Sequence, residues 1–401
     1  MNRSDWRTVA LVTAWQIAAS ICYYTIFAAT PFFRDEFGLS RFAVGLVVTM
    51  LTLGYAVFLL PLGALTDRFG ERLTLTLGLL GLAAGVALVA GAPTYALLLA
   101  TVFVLGSMYG TAMPGTNKAV FDNVDPARQN LAMGIKQVGV TGGSGISALL
   151  ITGLAGVLFW QAGFLVAAGV GSVVAVGFYH SYASESDGSA DGYPDFRALL
   201  ANRSYVVLTV AGLFLGAALF TTTGYTVLYV EESIGASVAF GGVVLALVQV
   251  FGSVGRVLTG WLSDALPGEP RVKIGLVLII QSLGSAVMFV VVAATTTERS
   301  VAIAFSALGF FVLGYTGVYY SLMATLVRAD EMGGATAGGQ LALTSGALVA
   351  PPAFGSLADT VGYRTGWLFL AAVVTIATVF LVYVLRTPPP IATPAAVDTS
   401  K

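Results

Sequence analysis

The sequence predicts an all-α integral membrane protein with twelve transmembrane helices arranged as two pseudo-symmetric six-helix bundles. The chain of 401 residues is 57% hydrophobic and only 10% charged, whereas soluble globular proteins carry about 25% charged residues. Its apolar residues fall in blocks of about twenty, which is the length that an α-helix needs to cross a bilayer. Similar landmarks recur in the two halves of the chain about 200 residues apart, as in membrane proteins built from internal repeats.

Twelve apolar stretches are separated by charged or turn-forming residues. The first follows Arg3 and Arg7, is too long for a signal peptide and lacks a clear cleavage site, so we expect it to be a membrane helix. The expected spans are approximately 8–31, 43–63, 73–92, 95–116, 132–156, 161–181, 205–230, 239–262, 274–295, 301–323, 336–357 and 366–386.

One segment interrupts the apolar pattern, between the sixth and seventh spans. Residues 184–204 begin with a long polar run that contains glycine and several acidic residues. We expect this segment to be a cytoplasmic linker that joins an N-terminal six-helix bundle (1–183) to a C-terminal six-helix bundle (205–387). The tail, 388–401, opens with three prolines and is expected to be disordered.

The basic residues predict the orientation of the chain in the membrane. With the N-terminus placed in the cytoplasm, all of the 19 lysines and arginines except Arg34, Arg41, Arg299 and Arg364 fall on or toward the cytoplasmic side. We therefore expect a multi-pass protein of the plasma (inner) membrane with both termini and the linker in the cytoplasm.

A charged stretch, 63–72, lies between the second and third spans and reads Gly-Ala-Leu-Thr-Asp-Arg-Phe-Gly-Glu-Arg. Its glycines permit a sharp turn, and its charged side chains can bond to one another and to exposed helix ends. We expect a short loop at the cytoplasmic face.

Other parts of the chain repeat this stretch or its spacing. Residues 260–264 follow the eighth span as 63–67 follow the second, but no arginine comes directly after Asp264. Residues 355–364 reproduce the spacing of glycine, aspartate and arginine at the opposite face, so the spacing alone is not a sufficient signature.

The stretch 63–72 resembles the loop between the second and third helices of the major facilitator superfamily, whose pattern is Gly-x-x-x-Asp-Arg-x-Gly-x-Arg. With the helix count, the linker and the repeat, the resemblance covers about residues 8–386. It implies secondary transport by alternating access, with a central cavity lined by helices one, four, seven and ten. It also implies that charged residues at the cytoplasmic face latch the halves together when the protein is open outward; an ordinary charged loop that fixes orientation is the alternative. The candidate gating residues are Gly63, Asp67, Arg68, Gly70, Arg72, Lys118 and Asp264.

The fifth span carries a more specific resemblance. Residues 134–137, Gly-Ile-Lys-Gln, resemble the start of the fifth helix in a subset of prokaryotic permeases. The signature of drug exporters in this helix is matched only in part, by Gly139 and by 142–143, and its proline is missing.

Arg256 is the sharpest candidate for a substrate-binding residue. It precedes Asp264 by eight residues, which places it about 12 Å inside the eighth span. An arginine at that depth costs several kcal/mol unless it faces a wet cavity or a partner, and the expected spans contain no acidic residue. Arg256 therefore faces a cavity and binds an anion such as a carboxylate, or it reaches the headgroups or Asp264 instead. Its position also resembles that of a substrate-binding arginine in monocarboxylate- and oxalate-type members of the superfamily.

Lys136 and a set of uncharged polar residues extend the candidate site. Lys136 lies near the start of the fifth span as a second cation, with a role at the cytoplasmic gate or the headgroups as the alternative. Uncharged groups on several spans could orient a small polar substrate, although such groups are also common in helix packing. The candidates are Tyr23, Tyr24, Asn117, Tyr225, Gln249, Tyr315, Tyr319 and Gln340, together with Gln16, Thr25, Thr222 and Tyr320.

The rarest residue types restrict the chemistry. The chain has one cysteine, Cys22, and one histidine, His180, so we expect no disulfide within the chain, no metal site, no cofactor and no enzyme activity. The favoured substrate is a small organic anion, with protons or a counter-anion as coupling partners and with the protein working as a monomer in the bilayer. A multidrug efflux pump is the alternative transporter, and a lipid enzyme or a non-transporting sensor is the alternative of another class.

Overall fold

The computed structural model describes residues 3–125, 128–183, 196–328 and 331–387, and these residues form sixteen α-helices without a β-strand. The helices are α1 (Arg3–Ala28), α2 (Thr30–Phe37), α3 (Arg41–Phe69), α4 (Glu71–Ala90), α5 (Tyr95–Tyr109), α6 (Ala112–Asn123), α7 (Gln129–Ala155), α8 (Gln161–Ser181), α9 (Phe196–Ala201), α10 (Arg203–Glu232), α11 (Val238–Ala265), α12 (Pro270–Val292), α13 (Glu298–Val312), α14 (Tyr315–Ala324), α15 (Met332–Thr360) and α16 (Tyr363–Arg386).

Twelve helical segments of the described chain are long and apolar enough to cross a membrane. Ten are single helices, whereas the fourth span combines α5 with α6 and the tenth combines α13 with α14. The predicted fold class is therefore confirmed. The first part of the predicted linker, 184–195, and the predicted tail, 388–401, lie outside the described residues. The rest of the linker, 196–204, forms α9 and the start of α10.

The loop predicted at 63–72 is wrong. Helix α3 continues to Phe69 and α4 begins at Glu71, so Gly70 alone separates the two helices. Gly70 makes this turn with φ +79°, a conformation that glycine adopts without the steric cost of a side chain. Nothing in 63–69 breaks a helix, so the charged residues of this stretch occupy the last turns of α3 and the first turn of α4.

The fourth and tenth spans are each interrupted near the middle of the span. Residues 110–111 separate α5 from α6, and 313–314 separate α13 from α14. The interruptions lie about 200 residues apart, at equivalent positions of the two halves, as an internal repeat requires. Helices α6 and α14 therefore begin inside the bundle, beside the space between the halves.

The two halves of the chain are packed tightly at one end of the molecule. We call it the Arg41 end; it holds the first turn of α3 and the last turns of α10 and α15, and the opposite end is the linker end. Here α3 of the first half packs on α15 of the second, and α7 packs on α11. A Cβ atom added to Gly45 would lie 2.5 Å from the backbone nitrogen of Pro352, so the helices touch backbone to backbone.

Candidate functional site

A polar cavity lies between the two halves. Its volume is about 130 Å³, which gives room for a few water molecules. Helices of both halves supply its walls, and among the described residues no aspartate or glutamate lines it. Its polar lining consists of Gln16, Tyr23, Tyr24, Tyr55, Tyr109, Lys136, Gln137, Thr223, Gln249, Arg256, Tyr315, Thr316, Tyr320 and Gln340.

Most of the substrate-binding candidates meet at this cavity. Nine of them line it: Gln16, Tyr23, Tyr24, Lys136, Gln249, Arg256, Tyr315, Tyr320 and Gln340. Tyr55 and Tyr109 also line it, and the sequence reasoning did not find them. The ring of Tyr109 stacks on that of Tyr23 with centroids 4.1 Å apart, and Tyr55 packs against both.

Arg256 is held on the cavity wall by the interruption of the tenth span. Its Nε atom donates a hydrogen bond to the carbonyl of Leu313 at 3.1 Å, in the gap between α13 and α14. This bond fixes one edge of the planar guanidinium. Within the described chain, the two terminal nitrogens bond to no acceptor and the residue forms no ion pair. The structure therefore presents a fixed positive charge whose outer edge is free to receive an anion.

Lys136 lies on the first half and is only 3% exposed. Its Nζ atom donates to Thr116 Oγ1 at 3.1 Å and to Asn117 Oδ1, both on α6. Asn117, a substrate-binding candidate, thus holds the lysine and does not line the cavity.

Several buried donors at the cavity have no partner in the described chain. The hydroxyl groups of Tyr23 and Tyr315 and the amide nitrogen of Gln249 make no hydrogen bond there. A buried polar group without a partner costs about 1–3 kcal/mol. These donors are therefore suited to a ligand that brings several oxygen acceptors.

Tyr225 and Tyr319 do not line the cavity, whereas Gln340 does. The hydroxyl of Tyr225 lies 2.6 Å from the carbonyl of Arg41 and 3.0 Å from that of Pro351, so it joins the halves at the Arg41 end. Tyr319 packs its ring end against Gly212 beside the cavity wall. Gln340 reaches the cavity while its Oε1 accepts a hydrogen bond from Tyr320 at 2.6 Å.

A cluster of charges closes the Arg41 end, and we call it the Arg41 gate: Arg34, Arg41, Glu232, Asp359 and Tyr363. The carboxylate of Glu232, on the second half, lies 2.6 Å from Arg34 and 2.7 Å from Arg41, both on the first half. It also accepts a hydrogen bond from the Tyr363 hydroxyl at 2.8 Å.

Asp359 adds an unusual helix cap to this gate. Its carboxylate accepts the backbone N–H groups of Arg41 at 3.0 Å and Phe42 at 2.9 Å. An acidic side chain at a helix N-terminus satisfies free donors and complements the helix dipole. Here the acid comes from the other half of the chain, so the cap exists only while the Arg41 end is closed. Asp359 is the acid of the repeated spacing at 355–364.

At the linker end, three of the gating candidates, Arg72, Lys118 and Asp264, bond within their own halves. Arg72 donates to the carbonyl of Tyr179 at 3.0 and 2.8 Å, and Lys118 pairs with Asp122 at 2.7 Å. Arg68 lies over the ring of Phe69. The remaining candidates are also near this end: Gly63 faces Pro114 on α6, and the backbone carbonyl of Asp264 accepts a hydrogen bond from Lys273.

A buried polar chain braces the first half at the same end. Asn123 donates to the hydroxyl of Tyr182, which donates to the carboxylate of Glu71 at 3.0 Å. Burial and then the Glu71 charge raise the pKa of the Tyr182 phenol above its usual range, so it remains a hydrogen-bond donor.

In comparisons of sequence and of structure, the chain is similar to known transporters. A family model described as the Major Facilitator Superfamily matches residues 13–290. The hexuronate transporter of Bacillus subtilis is 25% identical over 364 residues, covering 86% of this chain and 85% of the relative. A probable sulfoacetate transporter of Cupriavidus necator is 28% identical over 365 residues, covering 84% and 83%. The crystal structure of a bacterial homolog of the human lysosomal transporter Spinster, inward-facing and occupied, has a TM-score of 0.82 at 15% identity and covers 97% of this chain and 98% of its own.

Proposed function

This chain belongs to the major facilitator superfamily, and from that premise we propose that it carries a small organic anion across the membrane by alternating access. The family and its relatives are membrane transporters and not enzymes. One observation carries the choice of substrate: the guanidinium of Arg256 stands in a cavity that no described acidic residue lines, with its outer edge unpaired.

Electrostatics favours an anion at Arg256. A buried arginine without a counter-ion costs several kcal/mol, and an organic carboxylate or sulfonate would remove this cost through two parallel hydrogen bonds. The unpaired donors of Tyr23, Tyr315 and Gln249 would meet the other oxygens of such a substrate. The cavity volume of about 130 Å³ suits a small molecule. The substrates named for the relatives, a hexuronate and sulfoacetate, are small organic anions.

Efflux of cationic amphiphiles fits the cavity less well. A cation needs a negative partner, and the described lining offers none. The positive charge of Arg256 would repel such a substrate at short range.

The orientation and the working unit are also part of the proposal. The excess of basic residues supports a cytoplasmic linker end and cytoplasmic termini in the inner membrane. The Arg41 gate then closes the cavity from the outside. The cavity is formed within one chain, which supports a monomer as the transporting unit.

A thermal-shift screen tests the substrate class, since a bound ligand stabilises the folded protein. Purified protein is heated with glucuronate, galacturonate, sulfoacetate, lactate, glucose and tetraphenylphosphonium. We expect at least one anion to raise the melting temperature by a few degrees. Glucose, which has a hydroxymethyl group where glucuronate has its carboxylate, should have no effect. Stabilisation by tetraphenylphosphonium alone would contradict the anion assignment and favour efflux of cations.

We expect Glu232→Gln to weaken the Arg41 gate. The substitution removes two ion pairs from a mostly buried carboxylate, at a cost to the closed state of about 1–2 kcal/mol. The population open at the Arg41 end should therefore rise roughly tenfold. The size of this population is measured from electron–electron distances between spin labels at Asp35→Cys and Val361→Cys. Glu298→Gln, an exposed acid at the same end, is the control; equal distance distributions in both variants would contradict the gate.

We further propose a latch that holds the linker end closed when the Arg41 end is open. It consists of Asp67, Arg68, Gly70, Arg72 and the other gating candidates near them. Asp67→Asn should slow exchange several-fold without greatly changing affinity, because it alters the balance of two states and not the cavity. Exchange rate and affinity are measured side by side, with Glu269→Gln as the control at the same end. Lost binding with normal turnover would contradict the latch.

A further inference from the structure

We propose that Lys136 is the proton-binding group of this transporter, so that one proton travels with each monovalent anion. The inference rests on the proposed function, since it needs an organic anion at Arg256. Membrane transporters commonly carry a proton on a buried carboxylate or histidine. Among the described lining residues there is neither.

The hydrogen bonds of Lys136 match a neutral amine. A neutral –NH₂ group has two N–H donors and one lone pair, whereas an ammonium has three donors and no lone pair. The protein supplies two acceptors, Thr116 Oγ1 and Asn117 Oδ1, and no more within the described chain. These acceptors satisfy both donors of the neutral amine and leave its lone pair without a donor, on a side chain that lines the cavity.

The surroundings of Lys136 disfavour a second charge while the cavity is empty. The side chain is 3% exposed and forms no ion pair in the described chain, and burial disfavours the charged form of a lysine. Arg256 lines the same cavity from α11 and already carries a positive charge. The other titratable lining groups are neutral phenols: Tyr23 and Tyr24 from α1, Tyr55 from α3, Tyr109 from α5, and Tyr315 and Tyr320 from α14.

Charged or titratable groups elsewhere on the packed helices lie away from this cavity. Lys118 and Asp122 on α6 pair with each other at 2.7 Å. The others do not line the cavity: Asp5 and Arg7 on α1, Tyr179 and His180 on α8, and Asp264 on α11. An incoming anion is therefore the group that can stabilise a charged Lys136.

The proposed step balances charge and atoms. The lone pair of Lys136 Nζ takes one proton from water in the open cavity, and the new N–H donates to the anion that Arg256 holds. Lys136 is on the first half and Arg256 on the second, where α7 and α11 touch through Ser253 and Thr141 at 2.6 Å. The loaded and empty cavities then carry the same net charge, so anion and proton move together without net charge transfer. On release the anion leaves and the proton returns to water.

Transport measurements in proteoliposomes distinguish proton coupling from anion binding. The probe is the radiolabelled form of whichever panel anion, glucuronate, galacturonate or sulfoacetate, stabilises the protein most. Wild-type protein should accumulate a monovalent probe about tenfold per unit of pH difference when the lumen is alkaline. Sulfoacetate carries two negative charges, so its accumulation should be smaller. Lys136→Arg keeps a permanent positive charge, so it should exchange labelled for unlabelled anion more slowly than wild type does, and the exchange that remains should show no pH-driven accumulation.

A second variant and a matched control complete the test. Lys136→Met cannot take a proton, and it should move the anion with net charge and without proton uptake. Lys273→Arg, a lysine outside the cavity at the start of α12, should keep the coupling. Accumulation that persists in Lys136→Arg would overturn the inference, as would loss of both exchange and anion stabilisation in the two Lys136 variants. If no panel anion stabilises wild-type protein, the proposed function itself fails, and this inference fails with it.

Discussion

Replacing Arg256 by glutamine is expected to weaken anion binding by about thirtyfold to a few thousandfold. Removing one partner of a charge pair that is shielded from water costs 2–5 kcal/mol, and every 1.4 kcal/mol is tenfold in affinity. Arg256→Lys keeps the charge but loses both the planar fork and the bond from Nε to Leu313, so we expect a loss of about ten- to a hundredfold. Thermal shift and equilibrium binding with the preferred anion measure both effects.

The control for this prediction is Arg364→Gln, which removes an exposed arginine at the start of α16. It should bind the anion as wild type does. The melting temperature of each variant without ligand separates loss of binding from loss of fold, because Arg256 also bridges α11 to the interrupted tenth span. Unchanged affinity in a folded Arg256→Gln variant would remove Arg256 from the site and with it the anion assignment.

The fold was predictable because the bilayer constrains it strongly. A chain that crosses hydrocarbon must satisfy its backbone internally, so each apolar block of sufficient length becomes a helix. The interruptions at 110–111 and 313–314 were not predictable in the same way. Glycines such as Gly110 and Gly314 occur throughout these helices without ending them, and only tertiary packing decides where a helix breaks. The same limit explains why the loop predicted at 63–72 proved to be helical up to Phe69.

The candidate site was predictable where a residue is costly in lipid. Arg256 and Lys136 stand out in an apolar span because burial of a charge demands a reason. Tyr55 and Tyr109 carry no such cost, and their role depends on which face of α3 and α5 meets the other half. Asn117 was found as a polar residue, but its bond to Lys136 depends on the packing of α6 against α7.

The contacts of the Arg41 gate join the two halves of the chain, and such contacts could not be predicted from the sequence. The sequence shows the spacing of glycine, aspartate and arginine at 355–364. It could not indicate that Asp359 caps α3 of the other half, since such a contact joins residues more than 300 positions apart. The repeated spacing was discounted as a signature of the cytoplasmic loop. It instead marks the acid that closes the opposite face of the protein.

Gly45→Val is expected to lower transport by more than about a hundredfold while leaving anion binding largely intact. A Cβ atom at this position would lie 2.5 Å from the nitrogen of Pro352 and 2.6 Å from the carbonyl oxygen of Pro351. Both are backbone atoms within α15, so neither can move aside as a flexible side chain would. The Arg41 end could then not close, whereas separation of the halves at that end would relieve the clash.

Two measurements distinguish this trapped state from misfolding. A cysteine at the cavity, Thr223→Cys, should react with an impermeant thiol reagent applied at the Arg41 end much faster in the Gly45→Val background. The native Cys22 gives no background because it is fully buried. Gly177→Val is the matched control, since a Cβ there meets no atom within 4 Å, and it isolates the cost of valine in a helix from the steric effect. If Gly45→Val transports normally, or if Thr223→Cys remains protected in a folded Gly45→Val variant, the contact between α3 and α15 does not govern closure. The Arg41 gate would then be a consequence of the closed state and not a determinant of it.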